Sequence, residues 1–204
     1  MSEVQVICDT AMCIFWIATY TLVLIGMVKY RYPLISPITQ AIIAPFEFSV
    51  LFLFVKLKAF RLDYASLAYL YWSIIEMLII AVMIKHGSIQ KKYHIPWVAL
   101  IIVNTAVMTY FVTLREEMFF FSYLNTIVGM IIWLGFLIQR KDYPIKPLTL
   151  AMFLSKFIAD ILGYLVYYGT GNWIENMMCV LLPVVDIVFL IVFCKRRYLQ
   201  RFDN

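Results

Sequence analysis

The stretch IIAPFEFSVLFLF, residues 42 to 54, reads as a helix in hydrocarbon except at one position, Glu47. An ionisable side chain in such a run costs about 2.5 to 3.5 kcal/mol at a helix centre, so it needs a partner or a task. The rest of the chain has the same character. Of 204 residues, 64% are hydrophobic and 14% charged, and the mean hydropathy is +0.89, well outside the balance of soluble domains. Apolar runs long enough to cross a hydrocarbon layer about 30 Å thick fall near 10–28, 34–55, 64–84, 97–114, 119–138, 148–166 and 177–194. These predict an all-α, polytopic membrane protein of seven helices in one transmembrane domain. The first run carries Glu3 and Asp9 ahead of it with no Lys or Arg, so it is expected to be a retained helix rather than a cleaved signal.

Lys and Arg in short loops resist translocation. With the N-terminus outside and the C-terminus inside, twelve of them fall on the inner side: Lys29 and Arg31, then Lys85, Lys91 and Lys92, then Arg140, Lys141 and Lys146, then Lys195, Arg196, Arg197 and Arg201. Four fall outside (Lys56, Lys58, Arg61 and Arg115), and Lys156 lies within a helix. The net charge of +5 is therefore read as this bias, with the lipid bilayer as partner and no nucleic acid. Cys8, Cys13, Cys179 and Cys194 have no metal-ligand spacing, and no metal site is expected. Cys8 and Cys179 both fall near the outer face, which leaves a disulfide or two buried thiols open.

Two pairs of segments resemble one another. YPLISPITQAI from Tyr32 matches YPIKPLTLAM from Tyr143 with one residue of slack, and EMLIIAVMIK from Glu76 aligns without gaps to DIVFLIVFCK from Asp186. Each places an acid nine residues before an exit lysine, Lys85 or Lys195. The expectation is a 3+1+3 parallel repeat, halves about 10–85 and 119–195, with the fourth helix restoring the orientation of the second triplet.

Five charges fall at least two turns inside the helices: Glu47, Glu76, Lys156, Asp160 and Asp186. At about 1.5 Å per residue, Glu76, Lys156 and Asp186 share a depth roughly 12 Å from the inner edge, with Asp160 and Glu47 higher, so all five could line one cavity. Lys156 and Asp160 stand four apart and could simply pair, and Glu76 could simply hydrogen-bond a neighbouring helix. Glu47 and Asp186 have no such partner on their own helices, and each follows a proline, Pro45 or Pro183, that kinks the helix and frees a backbone carbonyl one turn back. A kinked, polar backbone beside an acid suits a cavity wall.

The run FWIATYTLVLIGMVKYRYPLISPITQAIIAPFEFSVLF resembles the opening of the seven-helix integral-membrane terpene cyclases of fungal indole-diterpene and meroterpenoid pathways and of their bacterial counterparts. PFEF is similar to that family's second-helix acid motif, with Glu47 matching and Phe46 in place of tryptophan. WSIIEMLIIAVMIKHG, with Trp72, Glu76 and Gly87, resembles the third-helix pattern, with glutamate in place of aspartate. NTIVGMIIWLGFLIQR resembles the fifth-helix pattern at Asn125 and Arg140, FLSKFIADILG the sixth-helix one at Ser155 and Lys156, and VLLPVVDIVFLIVF the last-helix one at Asp186. Asp160 departs from the small residues of that family.

The resemblance implies a terpene cyclase that protonates a terminal alkene or epoxide of a prenylated substrate, with no metal and no cofactor, in a plasma membrane or an endoplasmic reticulum membrane. A carboxylic acid does this only in its neutral form, which burial and a neighbouring carboxylate both favour. Glu47 and Asp186 are the expected catalytic acids, forming or sharing the donor as a coupled pair, with Glu76, Asn125, Lys156 and Asp160 as supporting polar groups. Trp16, Tyr20, Phe46, Trp72, Tyr123 and Trp133 are the aromatic candidates for stabilising a carbocation. The competing reading is a small proton-coupled or solute transporter built from two three-helix repeats; a polar path reaching both faces would favour it, and a closed apolar pocket lined by both acids would favour the cyclase.

Overall fold

The computed structural model describes residues 3–56, 64–114, 118–139 and 145–199. Seven α-helices account for most of them: α1 (Glu3–Tyr30), α2 (Pro37–Lys56), α3 (Tyr64–Lys85), α4 (His94–Leu114), α5 (Met118–Gln139), α6 (Pro147–Tyr167) and α7 (Trp173–Leu199). A single 3-10 turn at Lys91–Tyr93 precedes α4, and no strand occurs among the described residues. Six of the helices are long and apolar enough to cross a bilayer, and α2 contributes a shorter apolar stretch, Pro37–Leu53. Lys58, Arg61, Arg115, Arg140, Lys141, Tyr143 and Arg201, used above for orientation and repeat, lie outside the described residues.

The expected helix boundaries hold to within three residues except in α1, which begins seven residues earlier at Glu3, and in α7, which begins four residues earlier at Trp173 and ends five later at Leu199. Both early starts bring in polar residues, Glu3, Gln5 and Asp9 in α1 and Glu175 and Asn176 in α7, and these were what ended the apolar runs. In α1 the extra turns are held by side chains: buried Asp9 accepts a hydrogen bond from the Tyr167 hydroxyl at 2.7 Å. In α7 the start is a capping box. Asn172 Oδ1 accepts from the Ile174 and Glu175 amides at 3.0 Å, while Glu175 Oε2 accepts from the Asn172 amide at 2.9 Å. The end of α3 is equally specific. Gly87 takes φ +68°, and the Ser88 and Gly87 amides return to the Met83 and Ile84 carbonyls, a Schellman stop that needs the left-handed conformation glycine allows.

α1 packs on α6 and α3, α2 on α4, α5 and α3, and α7 on α5 and α6. Lipid offers little hydrophobic drive between helices, so close backbone approach and interhelical hydrogen bonds hold them. At Gly129 of α5 a Cβ would meet Ile43 of α2 at 2.8 Å, and nearby Thr39 and Asn125 bond carbonyls of the facing helix at 3.2 Å. α4 is fastened to α2 by polar groups. Trp97 Nε1 donates to the Pro37 carbonyl at 2.8 Å, and Asn104 Nδ2 to the Ala41 carbonyl at 3.2 Å. Ala41 is the residue whose carbonyl Pro45 leaves without an intrahelical donor, so the proline and the α4 contact explain each other.

The densest packing lies toward the end of the bundle opposite the N-terminus. There Met27, Ile79, Met83, Leu137, Phe153 and Phe193 are fully buried. Phe153 stacks on Phe189 at 5.0 Å between ring centroids and meets Phe193 at 4.4 Å with the rings tilted by 45°. Asn104→Leu is expected to cost about 1 kcal/mol of stability in detergent, and markedly less in a Pro45→Ala background, where the Ala41 carbonyl regains its helical partner. Thermal unfolding of the two singles and the double variant measures this, and equal costs in both backgrounds would contradict the pairing.

Candidate functional site

In the half of the bundle nearer the N-terminus the helices part around a cavity. α1 contributes Met12, Trp16 and Tyr20; α2 contributes Ile43, Phe46 and Glu47; α3 contributes Tyr69 and Trp72. On the other side stand Ser122, Tyr123, Asn125 and Thr126 of α5, Ala159, Asp160, Gly163 and Tyr167 of α6, and Leu182 of α7. The cavity volume is about 100 Å³, below the 300 to 1,000 Å³ usual for small-molecule sites.

Glu47 is one of two carboxyl groups in the wall. It is 8% exposed. Its Oε1 accepts a hydrogen bond from the Tyr20 hydroxyl at 3.3 Å, and its Oε2 makes no hydrogen bond to protein. Trp72 Nε1, in the same wall, is likewise without a protein partner. Buried polar atoms rarely stay so, and Gln40 Oε1, Glu76 Oε1, Trp133 Nε1 and Asp186 Oδ2, from residues that do not line the cavity, share the condition. The Glu47 main chain is fixed from the other direction, since its carbonyl accepts from Ser73 Oγ of α3 at 3.3 Å.

The second carboxyl group is Asp160, and it leads away from the cavity to a buried ionic cluster. Lys156 Nζ lies 2.5 Å from Asp160 Oδ2 and 2.7 Å from Asp186 Oδ1, with all three side chains almost completely enclosed. The intrahelical pair anticipated from the four-residue spacing is present, and α7 adds a second acid to it. Lys156 Nζ also lies 5.6 Å from the centre of the Trp16 ring, a cation–π distance. Two carboxylates and one ammonium leave the group one negative charge in excess when all are ionised, a state that a proton on either acid would neutralise.

The sequence-selected residues therefore divide. Glu47, Asp160, Asn125, Trp16, Tyr20, Phe46, Trp72 and Tyr123 line the cavity. Asp186 and Lys156 lie behind Asp160, and no hydrogen bond or ion pair joins Asp186 to Glu47. Glu76 is fully buried on α3 and accepts a hydrogen bond from Gln40 Nε2 of α2, the interhelical contact weighed for it above. Trp133 lies elsewhere: it packs against Phe153 at 4.6 Å and Phe189 at 5.4 Å in the dense core, because α5 turns that face toward α6 and α7. All four cysteines are free thiols, so Cys8 and Cys179 do not form a disulfide. Among the described residues no three His, Cys, Asp or Glu side chains gather as a metal site would need.

Met12, Tyr69, Gly163 and Tyr167 were not anticipated. Gly163 stands one turn beyond Asp160, where a Cβ would come within 3.2 Å of Met12 Sδ; only its i, i+3 spacing from Asp160 hinted at a role. Tyr69 meets Trp72 edge-on at 4.9 Å and nothing in its sequence context marks it.

No family model matches this sequence, and comparison with curated proteins and with solved structures finds no match.

Lys156→Met is expected to destabilise the protein by about 3 to 5 kcal/mol, because it strands two buried acids. Adding Asp160→Leu and Asp186→Leu should recover most of that loss, and thermal unfolding in detergent reads both. A silent single variant would show that the cluster is not ionised.

Proposed function

We propose that this protein is a membrane-embedded, acid-initiated terpene cyclase in which Glu47 delivers the proton. The observation that carries the reading is Glu47 itself, a carboxyl group in the wall of a cavity among aromatic rings, with one oxygen held by Tyr20 and the other without a hydrogen bond to protein. The Glu47 carboxyl would protonate the terminal alkene or epoxide of a prenylated substrate. The neighbouring double bond then attacks the resulting cation and closes a carbon–carbon bond. Loss of a proton from the last cation leaves a product of the same mass as the substrate. Trp16 and Tyr20, 5.8 Å apart, and Trp72, 6.5 Å from Tyr20, present ring faces that attract a cation and give it no nucleophile.

The order of the motifs along the chain supports this class of chemistry; of the two expected acids the cavity is lined by Glu47 and not by Asp186. Below the cavity the core of Met27, Ile79, Leu137 and Phe193 is closed, whereas a carrier needs a route to both faces. In this reading Asp186 acts through Lys156 on Asp160 rather than as a direct partner of Glu47. Two three-helix repeats in parallel orientation, with the N-terminus outside, complete the proposal. The packing supports the repeat: exchanging α1, α2 and α3 for α5, α6 and α7 turns the contact α1–α3 into α5–α7, α2–α3 into α6–α7, and α1–α6 into α5–α2.

Membranes carrying the protein, incubated with farnesylated and geranylgeranylated acceptors with and without terminal epoxides, should yield an isomer of unchanged mass and shifted retention. Glu47→Gln should lower its formation by about 10² to 10⁴, the range for loss of a general acid, while Tyr20→Phe should retain most of the product. An equal yield from Glu47→Gln and wild type would refute the donor role, and no isomer from the whole panel would refute the cyclase.

A further inference from the structure

Among the described residues five acids are buried in the bundle, Asp9, Glu47, Glu76, Asp160 and Asp186, against one buried cation, Lys156. Acids enclosed in this way either carry a proton or find a cation. Lys156 serves Asp160 and Asp186 together, and Glu47 has only the Tyr20 hydroxyl. The cavity lies across this shortfall, with Glu47 and Asp160 both in its wall. Glu47 is 8% exposed, and its Oε2 has no hydrogen bond to protein. The rings of Trp16, Tyr20, Tyr69 and Trp72 make up much of the remaining wall. Trp16 already lies at a cation–π distance, 5.6 Å, from the Lys156 ammonium.

We propose that this cavity binds a small methylated ammonium ion, with its charge between Glu47 and Asp160 and its methyl groups against the rings of Trp16, Tyr20 and Trp72. Aromatic rings around a carboxylate are the arrangement that recognises such ions. A primary ammonium fits less well, because each of its three N–H groups would need an acceptor. A bare metal ion is a poorer candidate still, since no three His, Cys, Asp or Glu side chains gather among the described residues. The volume of about 100 Å³ suits a compact ion rather than a larger ligand. The surroundings have the matching sign. A second space of about 310 Å³, walled mostly by apolar surface, adjoins the cavity across Tyr123 and Tyr167 at the end of the bundle that carries the N-terminus. The charged side chains described at that end are all acidic, Glu3, Asp9 and Glu175, whereas every described lysine and arginine side chain except Lys156 lies at the other. A field of that sign draws cations toward the cavity and turns anions away. None of this depends on the cyclase reading.

Choline is the probe, and the dimethylbutanol in which a carbon atom replaces the choline nitrogen is its uncharged twin. Equilibrium dialysis of labelled choline against the full chain in a maltoside detergent should show saturable binding. The uncharged twin should compete about tenfold less well, and Glu47→Gln and Trp16→Leu should each raise the choline Kd by about tenfold. Should both variants fold poorly, the wild type reads the same selectivity: choline should raise its Tm and the uncharged twin should not. Equal competition by the twin overturns the cation site. Absence of saturable choline binding, or a Kd unmoved in both folded variants, overturns it as well. Choline binding by a protein that forms no isomer leaves the site standing and rejects the cyclase, and isomer formation without choline binding does the reverse.

Discussion

Lys156 holds Asp160 of its own helix and Asp186 of the next, with all three side chains almost completely enclosed. A single ammonium or carboxylate there would cost several kcal/mol, and the three together offset most of that cost only in close geometry. The cluster therefore sets the rotation and height of α7 against α6. It also places one of its acids, Asp160, in the cavity wall, and so ties the polar side of the cavity to the packing of two helices.

The remaining helices meet the same demand with neutral groups. Glu76 finds Gln40, Glu47 finds Tyr20, Asp9 finds Tyr167, and the carbonyl bared by Pro45 finds Asn104. Each of these pairs crosses between helices, so polar satisfaction and helix association are the same event in this fold. Glu47 and Asp160 differ from the other buried acids in lining the cavity.

The division of the molecule into a dense half and an open half has a local cause. Phe153, Phe189 and Phe193 interlock with Trp133 where α5, α6 and α7 converge, while one or two turns away Gly163 and Ala159 leave α6 with little side chain to fill the gap. The aromatic rings facing that gap come from α1, α2, α3 and α5, with Tyr167 at the end of α6. A composition of 17% aromatic residues made any one of them a weak signal; Trp133 and Trp72 look alike along the chain and end in different places.

Hydropathy adds along the chain, so the number of helices, their approximate ends and the five buried charges were legible without any tertiary information. The same was true of the intrahelical pair Lys156–Asp160, which needs only the helical repeat. The starts of α1 and α7 were not legible, because side-chain bonds rather than apolar burial hold them. Which face of each helix turns inward was decided only by the tertiary structure, since helices apolar on all sides carry little amphipathic stripe to read. That is why Asp186 could be recognised as a buried acid but not as the partner of Lys156, thirty residues away, and why the cavity joining Glu47 to Asp160 exists only once six helices have been brought together.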